Sequence, residues 1–189
     1  MRSFLAVEVS EACRRALEGV IEQLRPLAPG VRWVRPEGLH LTLKFIGGLD
    51  EADLPRAVEC LQAVALGGAP FTMGVSGISG FPPQGVPRVI HVELHEPTGA
   101  LAALQKAVED ALADELNIAR EDRPFTAHVT LGRTKDRRRC PEMDEIVAAV
   151  AAQDFGRVKV ASFVLMRSDL KPDGAIYTPV HRFGLGRQS

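Results

Sequence analysis

The chain has 189 residues, 46% of them apolar and 25% charged, with a formal net charge of −1. That length suits one compact unit or two closely packed lobes, and the near-neutral charge excludes a protein that holds polyanions by bulk attraction. Cys13, Cys60 and Cys140 have no C-x-x-C spacing, which argues against a disulfide framework or a zinc site. The longest apolar run, Ile146 to Ala152, is too short to span a bilayer, and the N-terminus lacks the apolar stretch of a signal peptide. A reduced, cytoplasmic setting without membrane association is therefore expected.

Arg2 to Val9 is apolar and β-prone, and Ser10 follows as an N-cap for a helix over Glu11 to Leu27, where Ala12, Ala16, Val20, Ile21 and Leu24 recur at helical spacing. Pro26, Pro29 and Gly30 close it. Val31 to Pro36 leads through a turn at Gly38 into a strand over Leu39 to Ile46, ended by Gly47-Gly48. Asp50 to Leu66 reads as a second helix and Ala69 to Phe81 as a glycine-interrupted strand. After a loop from Pro82-Pro83 to Gly85, Pro87 to His95 is a further strand. Ala100 to Leu116 carries Leu101, Leu104, Val108 and Leu112 on one helical stripe. Arg123 to Arg133 is a strand and Glu142 to Ala152 a helix. Arg157 to Arg167 and Ala175 to Gly184 are closing strands around the turn Lys171-Pro172-Asp173-Gly174. Long apolar parallel strands and a glycine-rich phosphate loop are both missing, so the pattern predicts an α+β fold of mostly antiparallel sheets backed by helices.

Two of these strands carry the same motif, His40-Leu41-Thr42-Leu43 and His128-Val129-Thr130-Leu131. Strand geometry puts each His and its Thr on one face and the apolar residues on the other. The chain has 5 His and 7 Thr, so two such His-x-Thr pairs arise by chance about once in seventy times, and the apolar requirement lowers that far further. Each motif supplies a group that moves a proton near neutral pH and a hydroxyl that donates a hydrogen bond. Side by side, the two strands would surround a phosphate with two imidazoles and two hydroxyls, enough for acid-base catalysis without a metal or cofactor. The motifs lie nearly half a chain apart, which predicts two pseudo-symmetric lobes, one motif in each, facing a central active-site groove.

The residues around the motifs resemble the 2H phosphoesterases, and within them the RNA 2′,3′-cyclic phosphodiesterases also called 2′-5′ RNA ligases. The likeness runs through Val31-Arg32-Trp33-Val34, Leu39 to Gly47, Pro124 to Arg133, and Phe163 to Ser168 with Gly174 and Tyr177. One departure is Ala127, where the family commonly has Pro directly before the second His; here the Pro is Pro124. The resemblance implies one bilobal domain over residues 1–189 that acts on RNA 3′ ends or small cyclic nucleotides. The implied reaction is metal-independent hydrolysis of a terminal 2′,3′-cyclic phosphate to a 2′-phosphate, with no obligate protein partner.

In that scheme His128 is the base that activates water and His40 the acid that expels the 3′ oxygen, with a bell-shaped pH profile around 6 to 8. Thr42 and Thr130 hold the phosphate oxygens. Arg133 matches a family phosphate contact, although five residues past His128 is the wrong parity for a regular strand unless Gly132 permits a kink. Phe4 and Phe125 are aromatics that either stack a terminal base or pack in the core. Lys44 has the parity of His40 and is expected in solvent. Lys135 to Arg139, with Arg120 and Arg123, either guides an RNA backbone or is a solvated basic surface. His91, Glu93 and His95 have strand spacing that allows a metal, but core or exposed histidines are expected. Other readings remain open: cleavage of 2′-5′ oligonucleotides or ADP-ribose cyclic phosphate, a non-catalytic RNA-end-binding module, or a metal-dependent hydrolase.

Overall fold

The computed structural model describes residues 1–83, 86–135, 143–172 and 174–186. Gln84, Gly85, Asp173 and the segment 136–142, which holds most of the basic run Lys135 to Arg139, Cys140 and the expected helix start at Glu142, lie outside the described residues. The opening unit follows the sequence pattern closely. Strand β1 (Arg2–Glu8) leads into α1 (Glu11–Leu24), and the Ser10 hydroxyl caps the helix by accepting from the Cys13 amide at 3.3 Å. Cys13, Leu17, Val20, Ile21 and Leu24 form the buried stripe of α1. The helix ends three residues short of Leu27, since Pro26 has no amide hydrogen to continue it.

A short strand β2 (Val31–Trp33) precedes the first motif strand, β3 (His40–Gly48). Helix α2 (Leu54–Gly67), strands β4 (Phe71–Phe81) and β5 (Val89–His95), and helix α3 (Ala100–Leu116) follow. The second motif lies on β6 (His128–Thr134). Helix α4 (Met143–Val150) and strands β7 (Asp154–Val160), β8 (Ser162–Lys171) and β9 (Gly174–Gly184) complete the chain.

Two strand expectations change. Strand β6 starts only at His128, where the pair Glu93↔His128 ends its ladder with β5 close to the end of β5 at His95; before it the Ala127 carbonyl still accepts from the Leu94 amide at 3.4 Å. The predicted strand Arg157 to Arg167 is two strands: β7 pairs with β4, while β8 pairs with β1 and β9. Strand-like residues run through the break at Ala161 without recording that the partner changes.

The strands form one sheet in the order β7-β4-β5-β6-β3-β1-β8-β9, with β2 on β6, and every pairing is antiparallel. The sheet has two four-stranded halves, β3-β1-β8-β9 and β6-β5-β4-β7, joined where the two motif strands meet. One residue links β7 on one edge to β8 in the other half, so the sheet must curl until those strand ends are neighbours. Helices α1, α2 and α3 bury their apolar stripes against one face in a single core that includes Leu5, Val7, Leu41, Leu43, Val129 and Leu131. Phe4, Ala6, Val164 and Met166 form a small separate cluster, with Tyr177 packed on it. Among the described residues no helix is long and apolar enough to cross a membrane.

Candidate active site

The seam between the halves places the motifs. Strands β3 and β6 are joined at the pair Leu41↔Val129, both fully buried on the helix-covered face. Extending that antiparallel register sets His40 beside Thr130 and Thr42 beside His128, on the opposite face. Each histidine thus neighbours the other motif's threonine. All four side chains are partly accessible, and among the described residues neither threonine hydroxyl is taken by a hydrogen bond.

Both motif strands then bulge at the same point. In β6 the register with β5 skips Leu131, running from His91↔Thr130 to Ile90↔Gly132, so His128, Thr130 and Arg133 pair with Glu93, His91 and Val89 and share one face. The parity problem at Arg133 is resolved, and its exposed side chain joins the site face. Gly132 serves a purpose other than the expected kink. A Cβ there would lie 2.6 Å from Val31 Cγ1 and 2.9 Å from Trp33 Cε3, so glycine lets β2 approach.

In β3 the register with β1 skips Leu43, so His40, Thr42 and Phe45 pair with Glu8, Ala6 and Phe4. This overturns the expectation for Lys44, which the bulge turns inward. Its ammonium is buried and donates to Glu109 Oε1 at 2.8 Å and to the Ala119 carbonyl at 2.7 Å. In its place the bulge presents Phe45, 60% exposed.

The two histidines have different surroundings. His40 stacks on Phe4 (centroids 4.9 Å apart, 26° between planes) and meets the edge of Tyr177 at 5.2 Å. Burial pushes its pKa down to about 4, against the opposing pull of a backbone hydrogen bond at Gly38 and of Glu8. His128 Nδ1 lies 2.7 Å from the Thr126 carbonyl. A carbonyl only accepts, so Nδ1 carries the hydrogen and the neutral ring keeps its lone pair on Nε2. Beside it stands His91, a buried residue whose ring is 5.2 Å from that of His128 and stacks on Phe81 at 4.1 Å. Ser79 Oγ donates to Glu93 Oε1 at 2.9 Å and so accepts from His91 Nε2, also at 2.9 Å. Burial, helped by His128, lowers the His91 pKa to about 4 against the pull of Glu93.

Phe4, left open in the sequence between base stacking and core packing, is 3% exposed and its ring is occupied by His40, Tyr177 and Phe45. Strand pairing to β8 as well as β3 leaves β1 in the interior of the sheet, so Phe4 supports His40 and is not free to stack. Phe125 is half-buried and lines a cavity beside His91. Of the arginines expected either to guide an RNA backbone or to form a solvated basic surface, Arg120 is held by Asp110 and Asp114 at 3.0 Å each, whereas Arg123 is exposed. Among the described residues no three His, Cys, Asp or Glu side chains are grouped to hold a metal. The sequence reading missed Phe45, although His40 to Phe45 repeats the spacing of His128 to Arg133. It also missed Glu8 and gave Glu93 only a metal reading; that these glutamates lie opposite the two histidines is revealed by strand pairing alone.

The 2′-5′ RNA ligase superfamily model matches residues 11–172. An RNA 2′,3′-cyclic phosphodiesterase of Archaeoglobus fulgidus is 37% identical over 97% of this chain and 99% of its own length. One from Thermus thermophilus is 36% identical over 98% of this chain and 90% of its own. Among solved structures, TT0787 of Thermus thermophilus superimposes with a TM-score of 0.84 at 32% identity, covering 100% of both chains. E. coli LigT complexed with 3′-AMP has the same fold, with a TM-score of 0.75 at 22% identity over 98% of each chain.

Proposed function

Since the chain belongs to the 2′-5′ RNA ligase superfamily, we propose that it is a cyclic phosphodiesterase that opens the 2′,3′-cyclic phosphate at an RNA 3′ end to a 2′-phosphate without a metal. The observation that carries this reading is the meeting of two His-x-Thr motifs on adjacent central strands, with both histidines and both threonines on one face. His128 takes a proton from the attacking water at Nε2, the nitrogen left free by the Thr126 carbonyl. His40 gives a proton to the departing 3′ oxygen. Thr42, Thr130 and Arg133 hold the phosphate oxygens as charge builds, and the exposed Phe45 stacks the terminal base.

The low pKa of His40 fits this role through the substrate itself. In the free protein the ring is neutral at pH 7, and an anionic phosphate beside it supplies the charge that restores its proton. A purely binding role leaves unexplained why each motif pairs an imidazole with the hydroxyl.

The test is to incubate a short RNA ending in a 2′,3′-cyclic phosphate, in chelator, with wild type, His40→Ala and His128→Ala. Wild type alone yields the 2′-phosphate. Full activity in both variants, or a wild-type rate abolished by chelator and restored by a divalent metal, refutes the mechanism.

A further inference from the structure

A cavity of about 760 Å³ lies beside His128 and is absent from the scheme above. Its walls come from β4, β5, α4 and the segment before His128, all in one half of the sheet; His40, Thr42, Thr130 and Arg133 do not line it. We propose, building on the reading above, that this cavity binds the base of the second nucleotide from the RNA 3′ end, so that the enzyme reads two nucleotides and not one.

Three observations point to a base. The volume is that of a small-molecule pocket, and Phe81, Phe125 and Pro82 give it flat apolar surfaces of the kind on which bases stack. Among the described residues no lysine or arginine lines it while Glu93 does, which disfavours a phosphate as occupant. It is also continuous with the reacting centre. The His91 ring forms part of its wall and touches the His128 ring, and the Thr126 carbonyl that holds His128 belongs to the same wall.

The polar side of the cavity favours some bases over others. Glu93 Oε1 is taken by Ser79, while Oε2 lies 4.0 Å from His95 Nε2. That oxygen is an acceptor for the exocyclic amine of adenine, cytosine or guanine, and it repels the carbonyl oxygen that uracil presents instead. Ser79, itself held by His91, fixes the carboxylate in place.

The experiment compares uridine 2′,3′-cyclic phosphate with four dinucleotides that end in the same group and carry A, C, G or U on its 5′ side. For wild type, kcat/KM rises roughly tenfold or more from the mononucleotide to the A, C and G dinucleotides, and less for U. Ala148→Phe or Ala151→Phe, which fill the cavity from the α4 side, remove that rise and leave the mononucleotide rate unchanged. Glu93→Gln, which adds a donor, narrows the gap between U and the other bases. Equal kcat/KM for mononucleotide and dinucleotides in wild type, or an undiminished rise in both filled variants, overturns the proposal. Calorimetry of the corresponding 2′-phosphates on His128→Ala protein makes the same comparison without turnover. Absence of catalysis therefore counts against the reaction, and absence of a binding difference counts against the cavity.

Discussion

The halves of the sheet carry one motif each and the same bulge, yet they treat the residues after it differently. Position four after the histidine turns inward in both. In one half it is Lys44, paired with Glu109; in the other it is Gly132, which makes room for Trp33. Position five turns outward in both, as Phe45 in one half and Arg133 in the other. The surroundings of the histidines differ as well: an aromatic clamp desolvates His40, while His128 is oriented by a backbone carbonyl and backed by a hydrogen-bonded histidine. Shared strand geometry therefore supplies symmetric placement, and unlike neighbours give the two histidines the different settings that the proposed acid and base roles call for.

The strongest way to break that division is to remove its members singly and together. His40→Ala and His128→Ala should each lower kcat/KM by roughly 10²- to 10⁴-fold. The double variant should lose far less than the product of the two, because the groups act as a unit. Fully multiplicative losses in steady-state kinetics would show independent roles.

The inward positions are tested by stability. Lys44→Met leaves Glu109 without its buried partner and should cost about 3–5 kcal/mol, read from the urea midpoint. Gly132→Ala forces a methyl against Val31 and Trp33 and should cost about 1–3 kcal/mol. An unchanged midpoint in either variant contradicts the packing described for that half.

The outward positions are tested by substrate affinity. Phe45→Ala should raise KM for cyclic-phosphate RNA by roughly tenfold with kcat largely kept, and Phe45→Trp should restore it. An equal fall in kcat would instead place Phe45 in the chemistry.

The smallest effects are those of pH. In kcat/KM, which reports the free protein, the reactive form carries one proton over the acid-base pair, and that form is lost below about pH 4, where a second proton adds at His40, so the acid flank lies below the 6 expected from an ordinary imidazole. The flank in kcat should move toward neutrality, because bound phosphate raises the pKa of His40. A monotonic rise of activity with pH contradicts the pairing of an acid with a base. Stability follows the same groups. His40 and His91 bind protons at about 4 when folded and near 6.5 when unfolded, so the unfolded chain holds more protons between those values. Their contribution is complete above pH 6.5 and is lost as the pH falls toward 4. The melting temperature should therefore drop from pH 7 to pH 5, and by less in His91→Gln.

The sequence by itself determined the four groups of the candidate site that share a face within their motifs, because a two-residue strand period assigns each histidine and its threonine to one face whatever the partner strand is. It also determined the class of the fold, through the alternation of half-apolar strands with amphipathic helices, and Ser10 as the cap of α1. What only tertiary structure decided is everything that depends on pairing. The bulges at Leu43 and Leu131 arise from register with β1 and β5, and they alone turn Lys44 into the core and bring Phe45 and Arg133 to the site. The burial of Phe4, the partner change at Ala161 and the chain from Glu93 through Ser79 to His91 likewise join residues distant in sequence or on different strands. Local periodicity carries no information about which strand lies alongside, and that choice sets which side chains meet.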